Sequence, residues 1–143
     1  MSNTVSAHDL GIKIHKDDES GLFKWLLASF LMGKRIQADI AAQAYRVLVD
    51  QHQRDTPRKL ANCTHRQLVG MLGEAHYVRY DETTAARLLA LAHKLETEYG
   101  GKILNIREAC PNAHDFEARL AAFEGIGPKT IEIFMREAGQ VLY

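Results

Sequence analysis

Apolar positions recur at helical spacing in block after block of this chain, and no stretch alternates for long enough to need a strand. Phe23, Leu26, Leu27, Phe30 and Leu31 form an i, i+3, i+4, i+7, i+8 stripe. It predicts a helix that opens near Glu19 or Ser20 and closes at Gly33. Leu22 and Trp25 add apolar density off the stripe, so this helix is expected to be buried on more than one side. After a short link carrying Lys34 and Arg35, the positions Ile36, Ile40, Ala44, Val47 and Leu48 mark the inner face of a second helix reaching about His52. Thr56 ahead of Pro57 reads as a cap and a first-turn proline for a brief helix over 58–61. Thr64 and Gln67 have capping-box spacing for another short helix over 65–72, closing at Gly73.

Ala85, Leu88, Leu89, Ala92 and Leu95 predict a long helix from Asp81 to Tyr99, stopped by Gly100 and Gly101. The preceding loop, 74–80, holds Tyr77, Arg79 and Tyr80. Rings packed on neighbouring helices are the commoner arrangement there, and rings stacked on exposed bases the rarer one. A further turn of helix is expected over 103–110, before Pro111. Two helices, about 113–123 and 128–138, finish the chain, with Phe116, Leu120 and Phe123 facing inward on the first. Residues 1–18 lack a clear period and read as a polar N-terminal arm, which leaves 19–143 as one domain. Seven or so helices of uneven length make the expected fold all-α, a compact multi-helix domain.

Composition narrows the class only a little. A length of 143 residues is enough for one domain with a real core, and 46% hydrophobic with 25% charged residues is the balance of a soluble globular protein. Lysine plus arginine equals aspartate plus glutamate at 18 each, so the net charge is zero. That counts mildly against a nucleic-acid binder, although a local basic face matters more than the sum. Cys63 and Cys110 are isolated, which suits free thiols in a reducing compartment. No apolar run reaches membrane-spanning length and the start of the chain lacks signal-peptide form, so a cytoplasmic location without membrane contact is expected. Seven histidines show no pair at metal-ligand spacing with a nearby acid, and no metal site is expected. Neither a nucleophile elbow nor a phosphate loop is present.

The informative stretch is Phe123-Glu-Gly-Ile-Gly-Pro-Lys-Thr130, between the last two expected helices. Gly125 and Gly127 allow backbone angles closed to other residues and keep side chains out of a visitor's way. Ile126 between them is a buried-type residue, and Pro128 suits the first position of a helix. The first N–H groups of that helix lack intrahelical partners and carry partial positive charge, which welcomes an anion. Lys129 and Thr130 stand at the same opening with a charge and a hydroxyl. A plain interhelical turn, with glycines chosen for tightness, is the alternative reading.

The whole pattern resembles the helix-hairpin-helix element of DNA-binding proteins, which grips a backbone phosphate without reading sequence. With the helix order of 22–139, it is similar to the endonuclease III superfamily of base-excision DNA glycosylases, although only Phe123–Thr130 is specific as a motif. The resemblance implies a DNA-binding protein, on duplex or damaged DNA, with a contact surface of Gly125, Ile126, Gly127, Pro128, Lys129 and Thr130. Lys34, Arg35 and Arg79 are weaker candidates for a basic rim. Lys129 matches the position of the family's Schiff-base nucleophile, which attacks the sugar carbon of an abasic site. Such an amine must be partly deprotonated, and burial beside positive charge serves that end.

Departures from the family's pattern set the expectation of lost glycosylase chemistry. The family's essential aspartate lies well beyond the lysine, whereas fourteen residues follow Lys129 here, with Glu132 and Glu137 as their acids. Cys63 and Cys110 cannot supply the four ligands of an iron–sulfur cluster, so none is expected, while a monovalent cation on the hairpin is compatible with the resemblance. The loop 31–35 offers no group suited to fill the gap left by a flipped base. Three readings follow. One is a DNA-binding module without glycosylase activity. Another is a DNA-repair lyase using Lys129. The last is a degenerate scaffold whose protein partner, or second copy, covers the region where the family's further helices pack.

Overall fold

The computed structural model describes residues 4–143, and every regular element among them is helical. Its centre is α1, Glu19–Met32. Asp18 caps it by accepting from Gly21 N at 3.0 Å, and Gly33 N closes it on Phe30 O at 3.3 Å. Leu22, Trp25, Leu26, Leu27, Phe30 and Leu31 have no exposed surface, so α1 is apolar almost all round and lies inside the protein. Ser29, equally buried, satisfies its hydroxyl within the helix by donating to Trp25 O at 2.7 Å.

Helices α2 (Ala38–Arg46) and α8 (Pro128–Leu142) pack on α1. The Trp25 Nε1–H donates to Phe134 O at 3.1 Å, which fixes α8 against α1 by a buried polar bond as well as by packing. The second helix was expected to run unbroken to His52. It instead widens into a π turn over Val47–Gln51, which lets the consecutive Val47, Leu48 and Val49 all be buried. Helix α3 (Pro57–Ala61) starts at the Thr56 cap, and α4 (His65–Glu74) at a complete capping box between Thr64 and Gln67. Gly73 does not end α4. The helix continues to Glu74, and the reversal falls on His76, whose φ is 63°. The long α5 (Asp81–Tyr99) lies against α3 and α4 and stops at Gly100, φ 61°.

Two short helices lead to the hairpin. In α6 (Ile103–Ala109) the first N–H groups have no cap of their own. Glu19 of α1 supplies one, accepting from Ile103 N at 2.6 Å and Leu104 N at 2.9 Å. Helix α7 (Ala113–Ala121) is capped by Asn112, which accepts from Asp115 N at 2.8 Å. The N-terminal arm is part of the domain more than its polarity foretold. Ala7, Leu10 and Ile12 are buried around a 3-10 turn at His8–Leu10, and Ala7 N donates to Glu137 on α8 at 3.0 Å. Three apolar positions in so short a stretch cannot show a period. Residues 1–3 of the expected arm lie outside the described residues. None of the described helices is long and apolar enough to cross a membrane.

Candidate functional site

The glycine stretch forms a tight link between α7 and α8. Phe123 and Ile126 are buried and anchor it, with Ile126 N donating to Phe123 O at 3.1 Å. Gly125 has a φ of +87°, which explains glycine there. Gly127 is the N-cap of α8, and its carbonyl takes the first helical bond from Ile131 N at 3.1 Å. The N–H groups of Lys129 and Thr130 make no hydrogen bond within the described residues, so the start of α8 presents two free donors.

Lys34 reaches this link from the end of α1. Its Nζ donates to Gly125 O at 2.9 Å and stands 4.6 Å from the centre of the Phe30 ring. Burial, and then the charge of Arg87, hold its pKa below the ordinary lysine value. Arg87 comes from α5 and packs on the same glycine: a Cβ at Gly125 would stand 2.7 Å from Arg87 Cδ. Within the described residues the Arg87 guanidinium makes no hydrogen bond or ion pair. A cleft of about 340 Å³ lies between Gly33, Lys34, Arg87 and the backbone of Gly125–Thr130. It adjoins another of about 300 Å³ lined by Arg35, Tyr80, Thr83 and Thr84 along with the shared Gly33, Lys34 and Arg87. No acidic residue lines either part.

No protein-family model, curated protein or solved structure matches the chain. The site is therefore read from its own geometry. Of the residues singled out in the sequence, Gly125, Ile126, Gly127, Pro128, Lys129, Thr130, Lys34 and Arg35 border one continuous cleft. Arg79 stands outside its lining, exposed, with its guanidinium 5.1 Å from the Tyr80 ring centre. Tyr77 is fully buried and donates its hydroxyl to Leu31 O at 3.2 Å, so it packs and does not stack on a base. Thr130 differs from expectation in its side chain. The residue is 2% exposed and Oγ1 fills the place where a Cβ on Gly33 would stand, leaving its N–H as the group offered to a ligand.

Lys129 is exposed and pairs with Glu132 at 3.3 Å. Its amine lacks the burial that imine chemistry favours, and its charge partner is a carboxylate. The other acid of the last helix, Glu137, is engaged with Ala7 N, away from the cleft. A monovalent cation on the hairpin would compete for Gly125 O with the ammonium of Lys34. Among the described residues no group of three or more His, Cys, Asp or Glu side chains is placed to hold a metal ion, and Cys63 and Cys110 are separate buried thiols.

Two contributions were not apparent from the sequence. Arg87 sits between inward-facing positions of α5, and only the fold brings it to Gly125, more than thirty positions along the chain. Gly33 reads as a helix stop, yet it also admits Thr130 and lets α8 dock on the end of α1.

Proposed function

We propose that the protein binds DNA through its phosphate backbone, without strong sequence preference, in the manner of the helix-hairpin-helix proteins its Phe123–Thr130 stretch resembles. The observation that carries this reading is the acid-free cleft. In a chain with equal numbers of acids and bases, Lys34, Arg35 and Arg87 gather beside the two free N–H donors of α8 with no carboxylate among the lining residues. Such a place attracts a polyanion by charge and by backbone donation.

Kinship with the endonuclease III superfamily rests on the glycine motif and on the order of helices around it. Abasic-site lyase activity at Lys129 has no observation in its favour, given the exposed amine paired with Glu132. A protein partner has none either. The large hydrophobics exposed among the described residues are Val78, Tyr80 and Tyr143, and Tyr143 is itself laid against Arg107 at 4.0 Å. The test is fluorescence anisotropy on a short duplex of arbitrary sequence, compared with a second duplex of scrambled sequence. Similar affinities for both, each weakening with salt, are the expected result. Strong preference for one sequence would contradict the proposal.

A further inference from the structure

Several other cations in this protein have an acid or a carbonyl as partner. Lys59 pairs with Asp55, Lys94 with Glu98 and Lys129 with Glu132, while Arg107 bonds the carbonyls of Leu142 and Cys110. Lys34 and Arg87 instead converge on one glycine from different elements. Both are half-buried and held against Gly125, one by its hydrogen bond and the other by packing, and neither has a carboxylate partner. Lys34 donates one hydrogen bond to a neutral carbonyl and the Arg87 guanidinium donates none within the described residues. Two like charges held at one glycine repel; burial first, and the Arg87 charge after it, keep the Lys34 pKa below the ordinary lysine value. The charged groups facing the pair are Arg35 from the same link and Lys129 from α8, the latter already matched by Glu132. At Gly125 the site thus brings two uncompensated charges to one point beside a helix start, with Arg35 farther along the adjoining space.

Charge matching selects the anion. A phosphodiester within a strand carries one negative charge and leaves half of the pair uncompensated. A phosphomonoester at a strand end carries close to two above its second pKa of roughly 6. The adjoining space by Tyr80 and Thr83, about 300 Å³, is of a size to receive the residue attached to that phosphate. We propose that Lys34 and Arg87 form a seat for a terminal phosphate, so that the protein favours DNA ends, nicks or gaps bearing a phosphomonoester over uninterrupted duplex. This rests on the reading of the cleft as a DNA contact.

The experiment is anisotropy at fixed salt with four labelled DNAs: a continuous duplex and three gapped duplexes carrying a 5′-phosphate, a 3′-phosphate or only hydroxyls. One phosphorylated gap is expected to bind at least about tenfold more tightly than the hydroxyl gap. That advantage should shrink as pH falls from about 7.5 to 5.5 and the dianion takes up a proton. In Lys34→Met and Arg87→Met the ratio should fall towards one, with Arg87→Lys intermediate. Thermal melting of each variant shows that it is folded. Equal affinity for phosphate and hydroxyl ends, with salt-sensitive duplex binding intact, overturns this inference alone. Binding to none of the DNAs overturns the DNA reading as well. Full competition by inorganic phosphate at the concentration of DNA ends assigns the seat to free phosphate and overturns the strand-end assignment.

Discussion

Gly125 is the residue on which the site depends most. Its φ of +87° costs an L side chain about 1–2 kcal/mol, and an added Cβ would also displace Arg87 and press on Phe30. Gly125→Ala is expected to lower stability by about that amount in urea denaturation and to weaken DNA binding by more than stability loss explains. Lys34→Met tests the neighbouring contact. It keeps the packing on Phe30, removes one cation, and should reduce the magnitude of the salt slope of binding by about 1. Lys34 also brings a pH signature. Its folded-state pKa lies below 10.5, so the folded protein holds fewer protons than the unfolded chain between the lowered value and 10.5. Across that window the Lys34 contribution to stability rises with pH, while DNA affinity falls as the charge is lost. The glycine link and the helix start after it were readable in the sequence at this scale. Arg87 was not, because a half-buried cation on an otherwise ordinary helical stripe carries no local signal.

At the scale of elements, most starts and stops follow from caps visible in the sequence: Thr56, Thr64 with Gln67, Gly100, and Pro128 after Gly127. The misses have a common cause. Gly73 stays helical because the turn it was expected to make is taken by His76, and the π turn at Val47–Gln51 arises from burial of three adjacent apolar side chains. Both are decided by tertiary packing, which a local pattern does not contain. Helix α6 is the clearest case, since its cap is Glu19, eighty-four positions away. Glu19→Ala is expected to destabilise the protein by about 1–3 kcal/mol by orphaning two N–H groups, read as a lower midpoint in urea. Burial raises the Glu19 pKa above 4.5, outweighing the two backbone bonds that lower it. The folded state then binds the proton more tightly, so this contribution is full below 4.5 and lost as pH rises through the raised value. Glu19→Gln should remove that part of the pH dependence. Trp25→Phe, which removes the buried bond to Phe134 O and leaves part of the indole's space empty, should cost on the order of 1–3 kcal/mol in the same assay.

At the scale of the molecule, one buried helix organises the rest. The link after α1 carries Lys34, α8 docks on its end through Gly33 and Thr130, and α5 brings Arg87 to the same place. An all-helical fold was legible from periodicity alone, because α1 and α5 are long and their apolar positions regular. The neutral total charge concealed the cleft, since the acids that balance it lie elsewhere on the surface. The central claim is that this cleft holds DNA phosphates, and the most direct test is a salt titration of duplex binding by the wild-type protein. With two or three phosphates engaged, log affinity should fall linearly with log salt at a slope of roughly −2 to −3. An affinity indifferent to salt, or no binding at about 50 mM salt where counterion release is strongest, would contradict the account.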